Sequence, residues 1–253
     1  MNKYCWITGA SKGIGKATTI SFVKRGFNVI ASSRSEEDLL NLKKDCEKLQ
    51  FNGKIIPLAL DVTNIEQLEK CIKYIKEDIK KLDIIIFNAG TYIRENGQEL
   101  SFKNTKLMMD LNFNSIINSI ILLKAYFSEL GVKQVVVVSS IAGWRGMPLS
   151  AIYSASKSAL RTAMESFALD FSEKNIRFRV ISPGFVNTPL TKKNDFYMPF
   201  LMNAEKAGEK IFKFVIFSNK FEKSFPLIFS IIMKIITTLP WSLYKLIFRK
   251  NIN

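Results

Sequence analysis

The sequence predicts an α/β fold, a single domain built on a doubly wound parallel sheet, and three observations carry that expectation. Short Val/Ile-rich runs recur along the chain without the polar alternation of a half-exposed strand, so each must be covered on both faces. Stretches of ten or more residues with helical periodicity separate them, and a helix between strands is the crossover that a parallel pair requires. The 253 residues suffice for one large core rather than two small ones, and at 47% hydrophobic and 23% charged they lack the composition of a disordered chain.

In order, strands are expected at Tyr4–Thr8, Asn28–Ser32, Ile55–Leu60, Ile84–Phe87, Val135–Ser139 and Phe178–Ser182, with helices in the gaps. In such a sheet a ligand sits beyond the carboxyl ends of the strands, so the residues that follow each strand carry the chemistry. After the first strand comes TGASKGIG, in which Gly9, Ser11, Lys12, Gly13 and Gly15 lead into a helix that begins near Ile14. Glycines let the backbone turn tightly and approach a pyrophosphate, and free N–H groups at a helix start favour its charge, although the spacing departs from GxGxxG. The second strand ends in Ser32–Ser33–Arg34, without the carboxylate that would hold both adenosine ribose hydroxyls of NAD. Arg34 and Lys12 are placed to pair with a 2′-phosphate, which predicts NADP(H) over NAD(H). The alternative is that both are solvated loop cations, with Glu36 and Glu37 neutralising Arg34. After the third strand, Asp61–Val62 either holds the adenine or supplies a cap for the next helix.

Other chemistries are excluded by composition. The chain has no histidine, which removes histidine triads, imidazole metal ligands and any histidine acid or base. Cys5, Cys46 and Cys71 show no CxxC spacing and are odd in number, so neither a disulfide framework nor a thiolate metal site is expected, and a reduced cytosol suits them. The first ten residues lack the apolar stretch and cleavage site of a signal peptide, which again predicts a cytoplasmic protein. The net charge of +15 raises nucleic acid or an anionic membrane as a partner. No long basic block exists of the sort that tracks phosphates, which argues against nucleic acid, and the excess is densest from Leu201 onward.

Tyr153 and Lys157 stand four apart in YSASK, inside a run from Ala151 to Lys174 with helical periodicity, so both project from one helix face. A phenol ionises near ~10, and an ammonium beside it is expected to favour the phenolate, bringing Tyr153 toward a useful acid or base. Taken together, TGASKGIG, Asp61–Val62, FNAG at Phe87–Gly90, Asn112, Ser140, YSASK and the PGFVNTP segment from Pro183 to Pro189 resemble the short-chain dehydrogenases/reductases, the SDR family. The resemblance runs from about Lys3 to Pro189.

That resemblance implies a Rossmann-type sheet, a nicotinamide cofactor and a catalytic tetrad of Asn112, Ser140, Tyr153 and Lys157. Ser140 would hydrogen-bond the substrate carbonyl oxygen, with Ser139 structural beside it. Tyr153 would deliver a proton to that oxygen, and Lys157 would hold the nicotinamide ribose and keep Tyr153 acidic. Asn112, in LNFNS, matches the asparagine that anchors a water of the proton relay, with Asn114 nearly as plausible. Asn88, Ala89 and Gly90 would leave room for a ribose while Asn88 ties adjacent strands. Pro183, Gly184, the Val186 backbone and the Thr188 hydroxyl would hold the carboxamide and fix which ring face meets substrate.

The catalytic domain is expected over 1–223, with a substrate lid at about 187–203. Phe196, Tyr197, Met198, Pro199 and Phe200 of that lid, with Tyr92, Ile93, Trp144 and Met147, either line an apolar pocket or pack as ordinary loop residues. Residues 224–253 read as a C-terminal amphipathic helical extension in two parts. Ser230, Lys234, Thr237 and Thr238 fall on one side of the first helix, and Ser242, Lys245 and Arg249 on one side of the second. Lys250 adds a further cation, and no acid occurs in the segment. Pro226, Lys234 and Pro240 interrupt the run before the ~20 apolar residues that a spanning helix needs. Contact with a membrane interface, an oligomer contact and a flap over the pocket are the three readings of this segment. The function expected is an NADPH-dependent carbonyl reductase or alcohol dehydrogenase acting on a hydrophobic small-molecule ketone or alcohol, as a homo-oligomer, with contact at the inner face of a membrane among the readings of its C-terminal segment. The alternative is a non-catalytic NADP-binding sensor or scaffold that uses its tail to reach a membrane or partner.

Overall fold

The computed structural model describes residues 3–248, without the side chain of Lys193. Its elements are β1 (Lys3–Thr8), α1 (Gly13–Val23), β2 (Phe27–Ser33), α2 (Glu36–Lys48), β3 (Ile55–Ala59), α3 (Ile65–Tyr74), β4 (Ile84–Phe87), α4 (Phe102–Met109), α5 (Ser115–Leu123), α6 (Phe127–Leu130) and β5 (Gln134–Val138). There follow α7 (Ala151–Asp170), β6 (Arg177–Pro183), β7 (Val186–Asn187), β8 (Met202–Asn203), α8 (Ala204–Phe217), β9 (Glu222–Phe225), α9 (Leu227–Thr238) and α10 (Trp241–Phe248). The order β3-β2-β1-β4-β5-β6-β9, parallel throughout, makes a seven-stranded Rossmann-type sheet that reverses direction of winding between β1 and β4. That reversal opens a crevice above the carboxyl ends of these two strands.

Side-chain alternation along the strands builds two cores, one on each face of the sheet. Cys5, Ile7 and Val29 pack with Phe22, Leu39, Leu42, Ile211 and Phe212 under α1, α2 and α8. Trp6, Ile30 and Ile85 pack with Leu68, Ile72, Ile116, Ile120, Leu160 and Met164 under α3, α5 and α7. The six strands expected from the sequence form within a residue or so of their expected limits. The seventh, β9, was not expected: it is a four-residue edge strand, EKSF, without a Val/Ile run, and it crosses the position between 223 and 224 where the sequence suggests a division.

Arg179 lies within apolar β6 yet is buried. Its guanidinium donates to the carbonyls of Phe214 at 3.1 Å, Val215 at 3.2 Å and Ser218 at 2.7 Å at the end of α8, and to Gln134 Oε1 at 3.0 Å, while stacking 3.9 Å from the Phe214 ring centroid. The C-terminal carbonyls that a helix leaves unpaired are thereby joined to the sheet by a cation, which their dipole favours.

The two C-terminal helices expected after Ser224 are present, but α9 is oriented against its polarity. Phe229, Ser230 and Met233 face inward, with the Ser230 hydroxyl donating to Pro226 O at 2.8 Å, whereas Leu227, Ile228, Ile231, Ile232 and Ile235 are exposed. The expected polar side is therefore partly an inner side, because Ser230 satisfies its hydroxyl locally and is not left unpaired by burial. Lys245 is exposed on α10; Arg249 and Lys250 lie outside the described residues. Among the described residues no helix is long and apolar enough to cross a membrane.

Candidate active site

The crevice at the reversal point is a cleft of about 620 Å³. Its floor is the turn after β1. Gly9 has φ +64°, and a Cβ there would stand 2.9 Å from Ala89 Cα; a Cβ on Gly15 would stand 2.0 Å from Gly9 O. Only glycine at both positions lets the turn fold under α1. The turn is tied to β4 by Asn88, whose Nδ2 donates to Thr8 O and Gly9 O, both at 3.1 Å. The Thr8 hydroxyl accepts from Asn88 N at 3.1 Å and Ala89 N at 3.2 Å. Thr8 belongs to this framework, and sequence reading passed over it as a strand residue.

The cleft wall carries nearly all of the residues singled out from the sequence. Gly9, Ser11, Lys12, Gly13, Ile14, Ser33, Arg34, Asp61 and Val62 line it on the β1–β3 side. Asn88, Ala89, Gly90, Ser140, Tyr153, Lys157, Pro183, Gly184, Val186 and Thr188 line the other. Gly15 sits beneath the turn, and Asn112 is wholly buried behind Gly90. Asp38, Leu107 and Leu111 also line the cleft and were not anticipated, and Leu190 lines it from within the expected lid.

Three expectations change on the β2 side. Lys12 is not a free cation: its Nζ is 2.9 Å from Asp38 Oδ2, and this contact, ahead of a hydrogen bond that the carboxylate accepts from the Ser35 hydroxyl, holds the Asp38 carboxyl below its ordinary value. A carboxylate therefore does stand near the end of β2, supplied by α2 rather than by the strand. Arg34 makes no ion pair with Glu36 or Glu37 among the described residues. The cap of α3 is Asn64, whose Oδ1 accepts from Gln67 N at 3.0 Å, so Asp61 is not that cap; Asp61 accepts from Thr63 N at 2.9 Å in a turn of its own.

On the other side, α7 presents Tyr153 and Lys157. Lys157 is buried, its Nζ 5.9 Å from the Tyr153 ring centroid and donating to Val138 O at 2.9 Å. Burial pushes its pKa down to about 8, because the charged form loses water that one carbonyl does not replace. Tyr153 is half-buried, its ring edge-on to Tyr92 at 5.0 Å. Burial raises its hydroxyl above the ordinary phenol value, opposed in part by the neighbouring Ser140 hydroxyl. This departs from the expected lowering by Lys157: burial leads the shift, with Tyr92 adding to it. Ser140 starts a 3-10 turn, its Oγ accepting from Ala142 N at 3.1 Å, and Ser139 Oγ donates to Lys157 O at 3.0 Å, fixing β5 against α7.

Asn112 sits in a π-helical turn, Asp110–Asn114, that joins α4 to α5. The wide turn directs Asn112 inward, where Oδ1 accepts from Thr91 N at 2.7 Å and Nδ2 donates to Thr91 O at 2.9 Å and Ser156 Oγ at 3.1 Å. Asn114 instead donates to half-buried Asp110, which separates the two asparagines.

The loop of 187–203 is closed at its base, where β7 and β8 pair Val186 with Met202 and Asn187 with Asn203. Arg94 reaches it through an ion pair with Asp195. Within the loop, Pro189, Leu190 and Thr191 line the cleft, whereas the aromatic residues do not. Nor do Tyr92, Ile93, Trp144 and Met147: Trp144 and Met147 pack with Phe229, Met233 and Ile236 under α9. The apolar pocket imagined from those residues is instead a small core that holds the C-terminal helices.

The cleft suits a dinucleotide. Serine or asparagine side chains cap α2, α3 and α4, but none caps α1, whose first residues Gly13 and Ile14 face the cleft with backbone amides free to meet a diphosphate. Cations stand at the β2 end and a buried ammonium at the β4–β5 end. Among the described residues no three His, Cys, Asp or Glu side chains gather as metal ligands would.

Comparison with known proteins agrees with this geometry. A sequence profile described as short chain dehydrogenase matches residues 3–196. The chain is 32% identical over 191 residues to the 3-oxoacyl-[acyl-carrier-protein] reductase FabG of Thermotoga maritima, covering 76% of this chain and 77% of that one. It is 32% identical over 220 residues to an uncharacterized oxidoreductase of Myxococcus xanthus, covering 87% and 86%. Among solved structures, an alcohol dehydrogenase from the archaeon Thermococcus sibiricus, complexed with 5-hydroxy-NADP, superposes with a TM-score of 0.80 at 21% identity over 89% of this chain and 96% of that one.

Proposed function

The chain belongs to the short-chain dehydrogenase family and is an oxidoreductase acting on carbonyl or CH–OH groups with a nicotinamide dinucleotide, and from that premise we propose that it is an NADPH-dependent reductase of an apolar, lipid-like ketone. The observation that carries the reading is the convergence of Ser140, Tyr153 and Lys157 on one cleft wall, with the Tyr153 hydroxyl raised in pKa. A raised phenol stays protonated near neutrality, and that is the form which gives a proton to a carbonyl oxygen.

Lys12, Arg34 and the first turn of α1 would hold the phosphates, Asp61 and Val62 the adenine end, Asn88, Ala89, Gly90 and Lys157 the riboses, and Pro183, Gly184, Val186 and Thr188 the carboxamide. The bound nicotinamide supplies the hydride. The Ser140 hydroxyl orients the substrate oxygen and Tyr153 protonates it as charge develops there. Lys157, charged below about 8, favours the ionised Tyr153 that the transfer leaves behind. Asn112 fixes the backbone at Thr91 and the Ser156 side chain, and would anchor a water through which the proton is replaced.

An apolar substrate is supported by Leu107, Leu111 and Leu190 in the wall, and by the name of the Thermotoga relative, whose substrate is a 3-oxoacyl chain. A homo-oligomeric state and residence in the cytoplasm belong to the same proposal. The test is NADPH oxidation with ketones of increasing chain length, repeated with NADH. Turnover that rises with chain length and prefers NADPH is expected. Tight NADPH binding without turnover on any ketone would instead favour an NADP-dependent sensor.

A further inference from the structure

We propose that α9, α10 and the 187–203 lid form one surface that lies on an anionic lipid bilayer, so that an apolar substrate reaches the cleft from the lipid side. The second clause rests on the reductase reading; the first does not.

The two helices present an inverted polarity. On α9, Ile228, Ile231, Ile232 and Ile235 follow the i, i+3, i+4, i+7 spacing of an apolar stripe, yet the stripe faces outward, with Ile235 60% exposed. On α10, Trp241, Leu243, Leu246 and Ile247 are also exposed, Leu246 at 67%. These eight side chains come from two consecutive helices, and an apolar area of this kind on a soluble surface marks a binding face.

The helices are held firmly rather than trailing. Arg145 Nη1 donates to Thr237 O at 2.9 Å and Leu239 O at 2.7 Å, where α9 ends, and its guanidinium stacks 4.0 Å from the Tyr244 ring centroid. Tyr244 returns a hydrogen bond to Gly146 O at 2.7 Å. The apolar stripe is thus fixed to the loop that follows Ser140.

The lid adjoins the stripe. Phe200 lies 6.0 Å from Phe229 between ring centroids, and a Cβ on Gly184 in the cleft wall would stand 2.7 Å from the Phe229 ring. Phe229 therefore has the lid on one side and the cleft wall on another. Tyr197 at 87% exposure, with Phe200 and Leu201, extends the apolar surface across the lid.

Charge decides between lipid and a second copy of the chain. Lys234 and Lys245 are exposed beside the stripe, and residues 224–248 contain no acid. Two copies packed through this face would bring these cations together without a counter-charge, in a chain of net charge +15. An anionic headgroup layer accepts the cations while the acyl boundary accepts the stripe, and Trp241 suits the depth between them.

The test is flotation of the full chain with vesicles of phosphatidylcholine alone or mixed with phosphatidylglycerol. Binding should rise about tenfold or more with phosphatidylglycerol and fall with added salt. The exposed double variant Ile231→Glu/Ile235→Glu should abolish flotation while retaining wild-type circular dichroism and wild-type turnover of a short, water-soluble ketone. Its turnover of a long-chain ketone dissolved in the vesicles should fall about tenfold. No flotation of the wild type, or flotation undiminished in the double variant, overturns the inference. So does a dimer on light scattering that the double variant dissociates without any effect on vesicle binding. Flotation that behaves as described in a protein with no turnover would leave the membrane surface standing and remove the reductase.

Discussion

Lys157 is the residue at which function costs stability. Its pKa is about 8 in the fold and 10.5 when solvated, so between those values the unfolded chain binds more protons at this position than the native one. Stability from this site therefore rises with pH across that window, and below it the buried ammonium costs roughly 3 kcal/mol. Lys157→Met should melt higher than wild type at neutral pH, with the gap closing as pH approaches about 10; a gap independent of pH in thermal melts would contradict the burial argument. At the other end of the cleft, Asp38 occupies Lys12 and adds negative charge where a 2′-phosphate would sit. Asp38→Asn should tighten NADPH a few-fold and leave NADH nearly unchanged, read by fluorescence titration; an equal change for both nucleotides would remove Asp38 from phosphate selection. The individual letters of the site were legible because glycines, YxxxK and the post-strand positions carry their own chemistry. Asp38 was not, because a carboxylate in the first turn of α2 looks like a favourable helix-start acid until the fold returns it to the cleft.

The strands of the sheet interior were legible as elements because burial on both faces leaves an unbroken apolar run, as in the VVVV of β5. Edge strand β9 lacked that signal: its Glu222 is committed to side-chain contacts, accepting from Trp144 Nε1 at 2.8 Å and Ser182 Oγ at 2.6 Å. The orientation of α9 was equally hidden, since a helix wheel shows which residues share a face and not which face is covered. Arg179 is the test at this scale. It joins β6 to the end of α8 through the carbonyls of Phe214, Val215 and Ser218, although Phe214 O also accepts from Ser218 N and Val215 O from Gln134 Nε2, and burial pushes its own pKa down to about 10. Arg179→Met should lower stability by about 2 kcal/mol through the lost charge-assisted bonds to these carbonyls and to Gln134 Oε1, measured by urea unfolding, despite preserving apolar volume. A loss below about 0.5 kcal/mol would show that solvent or neighbouring donors take the place of the guanidinium.

In the whole molecule, the strand order β3-β2-β1-β4-β5-β6-β9 is what turns scattered motifs into one site. Residues as distant as Gly9, Arg34, Ser140 and Thr188 share a cleft because each follows a strand and every strand of the sheet points the same way. That much follows from a run of βαβ units read in sequence. The substrate side does not: Trp144 and Met147, read either as pocket lining or as ordinary loop packing, are the seat of the C-terminal helices, and only their packing with Phe229 and Met233 reveals it. The central claim is that this cleft delivers a proton from Tyr153 to a carbonyl oxygen. It is tested most directly by Tyr153→Phe, measuring NADPH affinity and ketone turnover on the same preparation. The account predicts affinity within about twofold of wild type and turnover lower by about 10²–10⁴-fold. Turnover that survives the substitution with NADPH affinity intact would contradict it.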